Sequence, residues 1–152
     1  MDKINSFRGD YYFLSNYYHV DFEFRGLTYH SSEAAFQAQK CATEEGKLKY
    51  TQMTNPTRAK MAGKRETLPE GWLEQGPALM KEILRAKFSD PELAEMLLAT
   101  GDAYLEEGNK WHDNRWGKCV CPACQDKEAH NYLGKALMEV RDELAQARRG
   151  EL

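Results

Sequence analysis

The sequence predicts a single α+β domain in which helices outnumber short antiparallel β elements. Three observations lead there. Residues 10 to 30 alternate and are rich in aromatic side chains, as strands are. From Ser31 onward the spacing turns helical, punctuated by serine, Asn-Pro and Asp-Pro start signals. A chain of 152 residues is the length of one domain. It can bury roughly 70% of the surface its unfolded form exposes. The domain is expected to run from 1 to 152, with short tails at about 1–9 and 146–152.

Each element has its own signal. "YYFL" reads as a strand that breaks at Ser15-Asn16. Val20, Phe22 and Phe24 share one face of a second strand, and Gly26 turns it into "LTYH" as a hairpin. "SSEAAFQAQKCA" has a serine N-cap and no Pro or Gly, so it predicts a helix. Further helices are expected over Glu44 to Met53 and from Asn55-Pro56 to Gly63. Another should cover Trp72 to Phe88, with Leu79, Ile83, Leu84 and Phe88 as its apolar stripe. Asp90-Pro91 opens a helix with Leu93, Met96, Leu97 and Leu98 inside and Gly101 as C-cap. "AYLEE" fits a short strand, and residues 108 to 130 read as a long ordered loop. The last helix starts near Asn131, with Leu133, Leu137, Val140 and Leu144 inward.

Composition narrows the function. Net charge is −3, so bulk electrostatics do not favour a polyanion. No apolar run approaches a membrane span or a signal peptide, and the expected location is cytoplasmic with no membrane partner. Between Lys40 and Arg65, however, seven basic residues stand against two acidic ones. That run is either a solvated basic surface or a phosphate grip. On the first helix Glu33, Phe36, Gln37 and Lys40 fall on one face. From spacing alone a solvated face is the simpler reading, and a polar stripe facing a cavity is the sharper one. The loop residues Trp111, Asp113, Arg115 and Trp116 either cap the core or stack on a planar ligand beside a carboxylate. Cys119, Cys121 and Cys124 follow with C-x-C-x2-C spacing. Cys121 and Cys124 alone make a zinc half-site, for which His130, His112 or Cys41 would complete the set.

Seven stretches, in order, are similar to the YbiA-like, or NADAR (NAD and ADP-ribose), family. They are "FLSNYY", "FRGLTYHSSEAAFQAQK", "NPTRAKMAGKR", "ALMKEILRAKF", "LLATGDAYLEE", "DNRWG" and "NYLGKALMEVR", and they span nearly the whole chain, from just after Tyr12 to Arg141. The chain departs from the family in carrying Ala34-Ala35 near a frequent histidine, so no catalytic histidine is placed there. The resemblance implies a single YbiA-like domain that binds an ADP-ribose-like or phosphoribosyl ligand and hydrolyses its ribose C1–N bond. Implied substrates are ADP-ribosylated guanine, in DNA or RNA, and riboflavin-pathway intermediates.

Carried over by motif, the catalytic set is Glu33, Asp113 and Lys40. The implied pocket residues are Asn16, Gln37, Trp111, Trp116 and Asn131. Arg58, Lys60 and Arg65 would face phosphates. A carboxylate near C1 stabilises oxocarbenium charge and activates water, and a lysine can trap the opened sugar as a Schiff base. No cofactor is implied and no metal, so the three cysteines are expected to form a metal-free turn after the pocket wall "WHDNRWG". The alternatives are a non-catalytic reader of ADP-ribose or NAD and a zinc-stabilised interaction module.

Overall fold

The computed structural model describes residues 2–150. They form two compact units, one built from residues 2–15 and 90–150, the other from Asn16–Ser89.

The second unit opens on a hairpin, β2 (Phe22–Phe24) paired antiparallel with β3 (Leu27–Tyr29), with Phe24 opposite Leu27. Only Arg25 and Gly26 are left for the turn, and both have positive φ, 50° and 88°. That combination matches the right-handed twist of paired strands, and glycine supplies it without strain. Helix α1 (Ser32–Ala38) follows, then α2 (Glu44–Thr51), α3 (Pro56–Gly63) and α4 (Trp72–Lys87). Each of the first three starts on a side-chain cap: Ser31, Thr43 and Asn55 accept from the backbone N–H groups of Ala34, Gly46 and Thr57. The unit's core is aromatic and aliphatic, with Tyr29, Tyr50, Ile83 and Leu84 fully buried. Burying an aliphatic side chain such as Ile83 or Leu84 contributes roughly 1.5–3 kcal/mol.

The first unit holds β1 (Lys3–Ile4), a 3-10 helix (Gly9–Leu14), α5 (Pro91–Leu98), β4 (Tyr104–Leu105), β5 (Gly108–Asn109), β6 (Lys118–Cys119) and α6 (Tyr132–Arg148). β1 pairs in parallel with β4, and β5 in parallel with β6. α6 packs on α5 and β4 and buries Leu133, Leu137 and Val140.

Several expectations change. "YYFL" lies in the 3-10 helix, because Phe13 and Leu14 are adjacent and both buried, a pattern no half-exposed strand allows. Among the described residues two of the three ladders are parallel, contrary to the antiparallel expectation. Residues 2–9 are no tail: β1 pairs with β4, and Ile4 and Phe7 are buried. α6 continues through Arg148, so the segment 146–148 is helical, while 151 and 152 lie outside the described residues. Met96 is exposed, and α5 buries Leu93 and Leu97 instead.

Candidate functional site

The helix α1 face is enclosed, which corrects the solvated reading. Phe36 and Gln37 are buried, and Glu33 and Lys40 are half-buried. Small residues make this possible: Ala34, Ala35 and Ala38 have no exposed surface, so α2 and α3 approach closely. The start of the helix is pinned by Asn16. Its carbonyl accepts from the Glu33 N–H at 3.0 Å, and its Oδ1 accepts from Ser32 Oγ at 2.7 Å. Asn16 thereby positions Glu33.

Along the face, Gln37 Nε2 donates to Glu33 Oε2 at 2.7 Å. Gly63 makes room for this amide, since a Cβ at that position would lie 1.9 Å from Gln37 Oε1. That oxygen is buried without a hydrogen-bond partner among the described residues, a cost that a ligand donor would relieve. Lys40 sits in the turn beyond α1, which ends at Ala38 rather than running on to Ala42. Its Nζ donates to the Gly63 carbonyl at 3.1 Å and lies 5.9 Å from the centre of the Trp72 ring. Trp72 in turn packs on Phe36 with ring centres 5.0 Å apart. Burial lowers the pKa of Lys40, and the Glu33 and Glu66 carboxylates offset part of that.

The cations that follow divide by exposure. Arg58 on α3 and Arg65 just beyond it are exposed, and Lys60 is half-buried. A cleft of about 610 Å³ opens beside Lys40, lined also by Cys41, Gly46, Lys49, Glu66 and Leu68. Glu33 and Gln37 do not line it, so cavity size alone would point away from the carboxylate–amide pair. The pair is the better guide, because it places a charge in a fixed direction. Glu66 went unnoticed in the sequence. Hydrogen bonds from Tyr50 Oη at 2.7 Å and Cys41 Sγ at 3.1 Å hold its carboxyl below the usual range. Burial, then the bond to Glu66, pushes the Cys41 thiol up to about 11. No local spacing signals a contact between residues 25 apart. Lys87 was also missed. It is fully buried, 5.8 Å from the Tyr18 ring centre and 5.3 Å from that of Phe88, and burial pushes its pKa down to about 7.

In the other unit the loop after β5 carries the aromatic residues. Trp111 is half exposed, at 50%. Asp113 Oδ1 accepts the backbone N–H groups of Arg115 at 3.0 Å and Trp116 at 2.8 Å, so one carboxylate oxygen shapes the turn. Asp113 thereby holds the backbone of the loop in place. Asn109, buried and unflagged in the sequence, braces the same loop by donating to the Asp113 carbonyl at 2.8 Å. The Arg115 guanidinium lies over both Trp116 and Tyr132, at 5.4 and 5.2 Å, and His130 stacks on Tyr132 with 4° between the planes. The Asn131 side chain ties together neighbouring backbone segments. It is buried, accepts from Glu107 N–H at 3.0 Å and donates to the Leu105 carbonyl at 2.9 Å.

These features define a small mixed α+β protein with a carboxylate–amide pair on its first helix and an amine in the turn that follows. The chain belongs to the NADAR domain family, whose domain matches residues 5–145. It is 33% identical over 143 residues to N-glycosidase YbiA of Escherichia coli, a match spanning 90% of this chain and 83% of that protein. A riboflavin biosynthesis protein of Vibrio vulnificus is 32% identical over 135 residues, covering 87% of this chain and 35% of that protein. The NMR structure of E. coli YbiA matches with a TM-score of 0.81 and 31% identity, covering 97% of this chain and 88% of that one. The resemblance read from the motifs and the α+β class both hold. Among the described residues no helix is long and apolar enough to cross a membrane.

Proposed function

We propose that the protein is an N-glycosidase that hydrolyses the ribose C1–N bond of an ADP-ribosyl or phosphoribosyl substrate. The observation that carries this is the Glu33 carboxylate, aimed by Gln37 at 2.7 Å within an enclosed face. A fixed, partly desolvated carboxylate is what a developing oxocarbenium charge needs. Glu33 takes a proton from the water that adds to C1. The C1–N electron pair departs on the nitrogen, which is protonated from the Lys40 ammonium, and the Glu33 proton then restores Lys40. Asn16 holds the backbone of Glu33. Arg58, Lys60 and Arg65 bind phosphates.

The lowered pKa of Lys40 favours a second route: the neutral amine bonds to C1 as the C1–N bond breaks and the base leaves with a proton, the ring C1–O bond opens to give an imine, and water hydrolyses the imine to release the sugar and restore the amine. Sodium borohydride separates the two, since it traps an adduct on Lys40 only in the second. The function itself is tested by incubating the protein with an ADP-ribosylated guanine oligonucleotide and with a phosphoribosylamino-pyrimidine. Release of base or sugar from either is expected. Tight ADP-ribose binding with no release from both would assign the protein as a reader.

A further inference from the structure

The aromatic loop raises a question of its own, because it buries the wrong atoms for an apolar core. Trp111 and Val120 are 50% and 49% exposed, whereas Cys119 and Cys124 are each 1% exposed. The interior of this loop is sulfur. Three elements bring the thiols together. β6 pairs with β5 in register Asn109 to Cys119 and so returns the chain beside the loop. A 3-10 turn (Pro122–Cys124), closed by Cys124 N–H to the Cys121 carbonyl at 3.1 Å, folds Cys124 back over Cys121. His112 adopts φ 68°, a left-handed conformation unusual for a side-chain-bearing residue, and its ring meets the sulfurs.

The resulting distances are specific. His112 Nδ1 lies 3.3 Å from Cys124 Sγ, 3.4 Å from Cys121 Sγ and 3.7 Å from Cys119 Sγ. All four ligand atoms fall within 4.8 Å of one another. One imidazole nitrogen has one proton or one lone pair, so it cannot hydrogen-bond to three sulfurs at once. A cation at the centre explains the convergence. With Zn–S near 2.3 Å and Zn–N near 2.0–2.1 Å, the N–S edge of a tetrahedron is about 3.5 Å, in the middle of the three distances. From this geometry we propose that His112, Cys119, Cys121 and Cys124 bind one structural zinc ion. The four ligands close the tetrahedron and leave no position for substrate, as in structural rather than catalytic sites. Metal binding and ordering of the loop are then one event, because the site does not exist in the unfolded chain. His112 stands between Trp111 and Asp113, so the ion clamps the loop that bears them. The expectation of a metal-free turn gives way to the alternative that the C-x-C-x2-C spacing had left open.

Zinc is measured by elemental analysis and native mass spectrometry on untagged full-length protein, purified without chelator and dialysed free of loose metal. About one zinc per chain is expected. Cobalt(II) exchanged into the site should give the intense ligand-field bands of a tetrahedral thiolate complex. Cys124→Ser should lose the metal and Cys41→Ser should keep it. Should Cys124→Ser fail to fold, the wild type still decides: a thiol reagent should modify Cys119, Cys121 and Cys124 only after a strong chelator is added. Hydrogen exchange should rise across residues 109–131 on chelation and stay unchanged in α4. The proposal is overturned by metal-free protein after growth in zinc-supplemented medium, by a mass lower by two hydrogens that marks a disulfide, or by thiols reactive without chelator. None of these readouts depends on glycosidase activity.

Discussion

Replacing Gly63 with alanine puts a methyl group where Gln37 now lies. The added Cβ would sit 1.9 Å from Gln37 Oε1 and 2.5 Å from its Cδ, so the amide must swing away. The atoms displaced are the far end of a flexible side chain, which makes the structural cost small. Gly63 closes α3, and alanine there gains at most about 1 kcal/mol of helix propensity. Losing the bond from Gln37 to the charged Glu33 costs about 1.5–3 kcal/mol. The net effect on stability is therefore about 0.5–3 kcal/mol, up to roughly ten degrees in thermal midpoint for a chain of this size.

Turnover should respond more. If the orientation of Glu33 is expressed in the transition state, the same bond corresponds to a roughly ten- to hundredfold fall in kcat. Base release by chromatography, paired with calorimetry on one preparation, reads both quantities. A cycle with Gln37→Ala isolates the cause: Gly63→Ala should add nothing once the amide is gone. Wild-type turnover in Gly63→Ala, or multiplicative losses in the double variant, would refute the positioning argument.

Three further expectations follow from the same geometry. Glu33→Gln keeps the acceptor for Gln37 and removes the charge, so turnover should fall roughly a hundredfold while ADP-ribose binding stays within a few fold, and unchanged turnover would remove Glu33 from the chemistry. Arg58→Ala should weaken ADP-ribose binding, and salt should weaken binding to the wild type, whereas titration calorimetry insensitive to both would make the basic run a solvated surface. The folded pKa of Glu66 lies below its ordinary value of 4.5, so the stability it contributes is complete above that pH and lost as pH falls through the folded value. Glu66→Gln should therefore lower the thermal midpoint at neutral pH and flatten its fall below about pH 4.5, and an unaltered acid limb would count against the Tyr50 and Cys41 bonds.

Local signals determined much of this protein. The caps at Ser31, Asn55 and Asp90, the Arg25-Gly26 turn and the start of α6 at Asn131 were legible because each depends on a few neighbouring residues. The order of the motifs was enough for the family. What the sequence left open were choices between two surroundings for the same residues. Spacing places Glu33 and Gln37 on one helix face, but only the packing of α2 and α3 against α1, with room for Gln37 left at Gly63, decides that the face is enclosed. β1 and β4 are too short to show an alternation, and parallel pairing between distant segments leaves no periodic trace. Asp113 and Asn131 match the motifs, and only the positions of nearby backbone groups show that they brace the loop. The cysteine spacing offered three candidates for a fourth ligand. The tertiary structure brings His112 to the sulfurs, because a left-handed residue turns its ring toward three thiols that the paired strands and the 3-10 turn have gathered.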